Sequence, residues 1–131
     1  MNETSKSVIS TNKAPAAIGT YSQAVVHQNT LYISGQIPLD PASMEMVSDE
    51  IEAQIDQVFK NLAAICSAAN TTLNNALKFN VYLTDLDHFP LVNEAMSRIL
   101  QEPYPARAAI EISALPKGAK VEVDAIVAIN A

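Results

Sequence analysis

The chain has 131 residues, 49% hydrophobic and 17% charged, which fits one domain spanning residues 1–131 and excludes a disordered polymer. At this size folding removes about two thirds of the unfolded chain's surface from water, enough for a core without disulfide staples. Eight Lys and Arg against 14 Asp and Glu leave a net charge of −6. That balance argues against a nucleic-acid partner and against adhesion to an anionic membrane, because both need clustered cations.

Cys66 stands alone, so no internal disulfide forms and the compartment is expected to be reducing. No apolar run approaches the roughly 20 residues of a membrane span. The start, Met1-Asn2-Glu3-Thr4-Ser5-Lys6, lacks an apolar signal core. A cytoplasmic protein is the expectation.

Ser7 to Ser10 reads as a short strand, followed by a loop over residues 13–19. Two β-rich runs, Ala24 to His27 and Leu31 to Ser34, form a hairpin through Gln28-Asn29, with Asn29 suited to positive φ. Pro38 and Asp40-Pro41 end the second run. Asp49 and Glu52 have capping-box spacing. Behind them Ile51, Ile55, Val58, Leu62, Ile65 and Ala69 repeat with a helical period, and Glu50, Gln54, Gln57, Lys60 and Asn61 lie opposite. Asn70 suits a left-handed helix end.

Leu77, Phe79, Val81 and Leu83 then alternate with polar residues as a strand. Asp87 is expected to cap a second helix with the stripe Phe89, Val92, Met96 and Ile99, which Pro103 and Pro105 terminate. Two last strands follow around a turn at residues 115–118. In the first, Ala108, Ile110 and Ile112 oppose Arg107, Ala109 and Glu111; in the second, Val121, Val123, Ala125 and Val127 oppose Lys120, Glu122 and Asp124.

The order β-β-β-α-β-α-β-β describes an α+β fold, a mostly antiparallel six-stranded sheet with two helices on one face. Apolar stripes turned toward the helices leave Tyr32, Ser34, Asn80, Tyr82, Thr84, Arg107 and Glu122 on the other face. That face is either simply wet or a subunit interface, where tyrosines serve both apolar contact and hydrogen bonding.

The spacing offers no zinc site: His27 and His88 are isolated, and Cys66 falls on the core side of its helix, so no metal is expected. No nucleotide-binding glycine loop and no GxSxG occur, and no cofactor is expected. Arg107 has two readings. It is a structural cation paired with Glu111 or another acid, or it is a guanidinium fork that takes the carboxylate of an anionic metabolite. Glu122 is a solvated strand residue or a carboxylate that orients and deprotonates water. The turn at residues 115–118 implies antiparallel pairing of their strands, which would set both side chains on one face and let Arg107 keep Glu122 ionised.

Residues 14–24 (Ala14-Pro15-Ala16-Ala17-Ile18-Gly19-Thr20-Tyr21-Ser22-Gln23-Ala24) resemble the N-terminal signature of the RidA/YjgF family of enamine/imine deaminases. Ser34-Gly35-Gln36-Ile37-Pro38-Leu39-Asp40, Lys78 to Asp85, Phe89 to Glu94, Tyr104-Pro105-Ala106-Arg107 and Leu115 to Glu122 resemble later motifs of the same family, in the same order. The resemblance runs from about residue 5 to 129. It implies a chorismate-mutase-like fold and a homotrimer with ligand clefts between subunits. It also implies hydrolysis of 2-aminoacrylate and 2-aminocrotonate, or their imine tautomers, to 2-ketoacids and ammonia.

Carried onto this chain, the family roles give Arg107 the substrate carboxylate and Glu122 the water. Gly35 and Asn93 match positions at or near the cleft, and the Ala109 N–H matches a carboxylate-binding position. Tyr21 is either a pocket wall or an aromatic packed at a subunit boundary. Thr20 departs from the usual Pro before the Tyr, and Ala109 from the Cys of some bacterial members; a backbone contact at Ala109 tolerates the change. A non-catalytic trimeric module that senses ketoacids or amino acids is the competing reading.

Overall fold

The computed structural model describes residues 5–129, and the reading of Met1 to Thr4 as lacking a signal core lies outside them. The expected element order is present. Strands β1 (Ser7–Ile9), β2 (Ala24–His27) and β3 (Thr30–Gln36) precede helix α1 (Ile51–Ala68) and strand β4 (Ala76–Leu83). Helix α2 (Phe89–Ile99) and strands β5 (Ala106–Glu111) and β6 (Val121–Ala128) follow.

The strands form one six-stranded sheet in the order β1-β2-β3-β6-β4-β5. The sheet is mixed: β4 and β5 run parallel, while the other neighbouring pairs are antiparallel. The expected pairing of the last two strands is therefore corrected. A strand–helix–strand crossover returns the chain parallel to where it left, so α2 sets β5 beside β4. The segment after β5 then passes the end of β4, which is marked on both flanks. Ile112 N–H donates to the Leu83 carbonyl (2.8 Å), and Thr84 N–H donates to the Lys120 carbonyl (3.2 Å). Strand β6 slots between β3 and β4.

Period-two alternation builds the core. Leu31 and Ile33 of β3, Phe79, Val81 and Leu83 of β4, and Val121, Val123, Ala125 and Val127 of β6 are buried. They meet Ile55, Val58, Phe59, Leu62 and Ile65 of α1 and Val92, Ala95 and Met96 of α2. Phe59 and Phe79 pack edge to face with centroids 5.7 Å apart. Truncating either ring to Ala is expected to cost about 3–5 kcal/mol. Leu77 departs from the expected alternation and is exposed, because a register shift between Ala76 and Lys78 breaks the period.

The helix ends differ from expectation in their chemistry. No capping box forms at α1: the N-cap is Glu50, without a side-chain cap, and Lys120 Nζ donates to the Asp49 carbonyl. Asn70 does take the left-handed conformation (φ 60°). At the hairpin the positive φ falls on Gln28 (56°) rather than Asn29. Before α2, Asp85 accepts from the Asp87 N–H and caps a short 3-10 turn, so Asp87 does not cap the helix.

Two polar residues assigned to the outer side of α1 are buried. Gln54 donates to the Ser48 carbonyl (2.8 Å) and accepts from the Lys120 N–H (2.9 Å). Asn61 donates to the Leu39 carbonyl (3.1 Å) and accepts from Gln57 (2.8 Å). A buried amide persists only with partners of this kind, and these tie the helix to the flanking loops.

Candidate functional site

Strand β5 lies at the sheet edge in register with β4: Phe79 pairs with Arg107, Val81 with Ala109 and Leu83 with Glu111. Cross-strand partners share a face. Arg107, Ala109 and Glu111 therefore sit on the helix side, and Ala108 and Ile110 on the open side, the reverse of the expected assignment. Ile110 is 49% exposed.

Helix α2 receives the Arg107 side chain. The guanidinium donates to Asn93 Oδ1 (2.5 Å) and to Met96 Sδ (3.5 Å), and its Cζ stands 4.6 Å from the centre of the Phe89 ring. Phe89, Asn93 and Met96 recur at i, i+4 and i+7, one line along a helix. That spacing is the available signal for Met96, read as core stripe, and for Phe89, read as core stripe and as the start of the Phe89 to Glu94 motif.

Among the described residues no acid lies within ion-pair distance of Arg107; the pair that forms is Arg98–Asp56 (3.2 Å). Glu111, offered as its partner, instead accepts from the Leu86 N–H (2.9 Å). Arg107 is an exposed cation held by neutral partners, with its charge available to an anion.

A hollow opens on each side of it. One, of about 320 Å³, is lined by Asn93, Met96, Ser97, Tyr104, Pro105 and Arg107. The other, of about 420 Å³, is lined by Leu86, Phe89, Arg107 and Ala109. Because Ile112 N–H points to β4, the alternation of a strand turns the Ala109 N–H away from β4, toward the free edge. The Arg107 fork and the Ala109 amide thus share one border of the sheet.

Glu122 occupies a different place. On β6 it pairs with Tyr82 of β4 and lies half-buried on the face away from the helices. Gly35 stands beside it on β3, inside a register shift between Ile33 and Gln36. A Cβ at Gly35 would run into the Glu122 carboxylate. Close approach of the Glu122 side chain, rather than φ, is what favours glycine at position 35. Burial, and then the Asp124 carboxylate, push the Glu122 pKa up. The expectation that Arg107 holds Glu122 ionised is corrected within one chain. Two strand spacings and three residues of register separate them, roughly 14 Å between Cα atoms, and they project from opposite faces.

Tyr21 sits in the loop before β2, 54% exposed, its hydroxyl accepting from the Ile18 N–H (3.3 Å). Gly19 takes φ +130° against the ring, a conformation that side chains rarely adopt. The loop is tied to the Gly35 bulge: Ser34 Oγ donates to the Ser22 carbonyl (2.6 Å) and Ser34 N–H to the Gln23 carbonyl (2.9 Å).

Gln23, missed by sequence reasoning, locks the same loop. Its buried amide donates to the carbonyls of Thr11, Ala14 and Pro15 (2.9, 3.2 and 2.8 Å) and accepts from the Thr11 N–H (2.7 Å). The signature at residues 14–24 contains Gln23 without giving it a role; its partners are recognisable only once the loop is folded.

The predicted site residues thus fall into two groups. Arg107, Asn93 and Ala109 form one at the sheet edge. Gly35 and Glu122 form the other at the sheet centre, with the Tyr21 loop anchored beside them. Cys66 belongs to neither: it is buried, and desolvation pushes its thiol up to about 12. Among the described residues no three His, Cys, Asp or Glu side chains gather as metal ligands, and no helix is long and apolar enough to cross a membrane.

The family model described as Endoribonuclease L-PSP matches residues 11–129. A Mus musculus protein named 2-iminobutanoate/2-iminopropanoate deaminase is 47% identical over 126 residues, covering 96% of this chain and 93% of its own. The crystal structure of RidA from an Antarctic Psychrobacter is 54% identical with a TM-score of 0.90, covering 94% of this chain and 99% of that one. The structure of E. coli TdcF with bound serine is 33% identical with a TM-score of 0.87, covering 95% and 99%.

Proposed function

The chain belongs to the RidA/YjgF family, and from that premise we propose that it is a hydrolytic deaminase. Its substrates are 2-aminoacrylate and 2-aminocrotonate, or their imine tautomers, released by pyridoxal-phosphate dehydratases; its products are 2-ketoacids and ammonia. The observation that carries the reading is Arg107: a cation without an acidic partner among the described residues, cradled by Asn93 and Phe89 at the mouth of two hollows in an otherwise acidic chain. A short 2-imino acid supplies the missing carboxylate. The relative named for that deaminase activity supports the same class.

An imine carbon is already electrophilic, so the chain needs to hold the acid, place a water and manage protons. Arg107 and the Ala109 N–H hold the carboxylate. Glu122 takes a proton from water as its oxygen bonds to C2 and the C=N π pair moves to nitrogen. That proton passes to nitrogen to give a carbinolamine; Glu122 then carries the hydroxyl proton to the amine as the C=O bond forms, the C–N bond breaks and ammonia leaves. A positioned acid–base group of this kind contributes about 10²–10⁴ in rate.

In one chain these two groups face opposite sides of the sheet, so a small substrate reaches both only if a second copy supplies one of them. We place the site in clefts between subunits of a homotrimer. Val8, Tyr32 and Ile110, exposed on the open face (60%, 44% and 49%), support such an interface. The name of the family model points to RNA, but the net charge of −6 weighs against a polyanionic substrate.

The test is a coupled assay in which a dehydratase acting on serine or threonine releases ketoacid with and without this protein. Faster release that disappears with Arg107→Ala, in a variant of unchanged circular dichroism, is the expected result. Unchanged release in the presence of the wild-type protein would overturn the reading. The bound serine of the TdcF structure favours a second reading, a ligand-sensing module without turnover. Thermal stabilisation by ketoacids or serine with no acceleration of release would select it.

A further inference from the structure

Asp124 follows Glu122 by two residues on β6, so both side chains stand on the same face. Both Asp124 oxygens are engaged by β4. Asn80 Nδ2 donates to Oδ1 (2.8 Å), and the Tyr82 hydroxyl donates to Oδ2 (3.0 Å). Two such bonds, one to each oxygen, fix the carboxylate in place beside Glu122. Tyr82 is also the cross-strand partner of Glu122, so a single side chain bridges the two acids' surroundings. From β3, Gly35 lies directly against Glu122.

We propose that Asp124 is a positioning residue for Glu122: an anion fixed by Asn80 and Tyr82 that strengthens its neighbour as a proton acceptor without touching substrate. The proposal rests on reading Glu122 as the base. The groups facing Glu122 are consistent with it. Strand β3 brings Ser34 and Gly35, neither of them titratable. Strand β4 brings Tyr82, with Lys78 displaced to pair with Ile126 beyond Asp124. On β6 itself, Lys120 turns its ammonium to the Asp49 carbonyl. Beyond β4, Ala108 and Ile110 of β5 add no charge. The nearest charge in this set is therefore the Asp124 anion, and the raised Glu122 pKa, burial first and Asp124 second, agrees. Tyr82 responds in the same sense, its phenol pushed up by burial, by the bond to Asp124 and by both acids.

The base exchanges its proton with water and then with the departing nitrogen; Asp124 exchanges none. Removing its charge should leave substrate binding alone and change the pH at which Glu122 works. In Asp124→Asn the acidic limb of the pH–rate profile is expected to move to lower pH by about half a unit or more. The kcat near neutrality should fall several-fold while KM stays, and Asp124→Glu should restore the limb. The Glu122 carboxyl, followed by carbon NMR in the ligand-free protein, should move in the same direction. Wild-type protein supplies the check if the variant does not fold: Glu122 should titrate above an ordinary carboxylate. A folded Asp124→Asn with Glu122 titrating as before, or a wild-type Glu122 that titrates no higher than an ordinary carboxylate, overturns the proposal. Full turnover by Glu122→Gln would instead overturn the base reading, leaving the titration result to stand or fall by itself.

Discussion

The two halves of the candidate site are built in opposite ways. The Arg107 half rests on a sheet edge and a single helix, whose residues Phe89, Asn93 and Met96 line up beneath the guanidinium. It is exposed, and its partners are neutral. The Glu122 half lies across β3, β6 and β4, half-buried between a bulge glycine and a second carboxylate. A cation at a rim keeps its full charge for an incoming anion, which suits binding. A crowded carboxylate is made reluctant to ionise, which suits proton exchange. One chain holds both halves and joins neither to the other.

The sharpest way to break this contrast is to put the halves on different chains. Arg107→Ala and Glu122→Gln alone should each lose at least about a hundredfold in kcat/KM. Refolded together, they should recover up to roughly a quarter of wild-type activity if each cleft takes one half from each of two subunits. A coupled assay on the mixed protein checks this; no recovery would mean that both halves act within one chain. Next in size, Gly35→Ala should swing the Glu122 carboxylate aside and lower kcat about ten- to a hundredfold. Pyruvate binding should be nearly kept, because the displaced group is the tip of a flexible side chain; kinetics and calorimetry together read the split.

A smaller effect is expected at the loop that borders the Glu122 half. Gln23→Leu leaves the carbonyls of Thr11, Ala14 and Pro15 without their donor. It should cost about 1–3 kcal/mol in denaturant unfolding. The smallest effect concerns stability and pH. A carboxyl whose folded pKa is raised is protonated more readily in the folded state, so its ionisation destabilises the fold as pH rises from the unfolded value through the folded one. Glu122→Gln should therefore have the higher Tm at pH 7, and the difference should vanish below about pH 4, where both forms are neutral. A Tm difference that stays constant across that range would remove the raised pKa from the account.

Much of this was legible before folding because burial imposes periods on sequence. Phe79, Val81 and Leu83, the four alternating positions of β6 and the α1 stripe all read correctly, since each packs on a continuous core. Strand β5 read backwards for the same reason. In Ala106–Glu111 the apolar residues Ala108 and Ile110 looked inward, but an edge strand lies beyond the core and burial does not choose its face. The error carried Arg107 to the wrong side and joined it to Glu122. Gln23, Gln54 and Asn61 were illegible for another reason. Polarity sorts residues outward on a helical wheel or strand, while their partners are loop carbonyls whose positions only the fold decides. Gly35 offered no signal beyond the family motif, because what crowds it is a side chain 87 positions later.

The insertion of β6 between β3 and β4 also bears on how the molecule comes into being. During synthesis the first three strands and the β4–α2–β5 unit emerge earlier, each presenting an open margin where residues 121–128 will later lie. Neither margin closes until that last ribbon has left the ribosome. The ribbon that closes them carries Glu122, so the carboxylate reaches its place in the same event that completes the sheet.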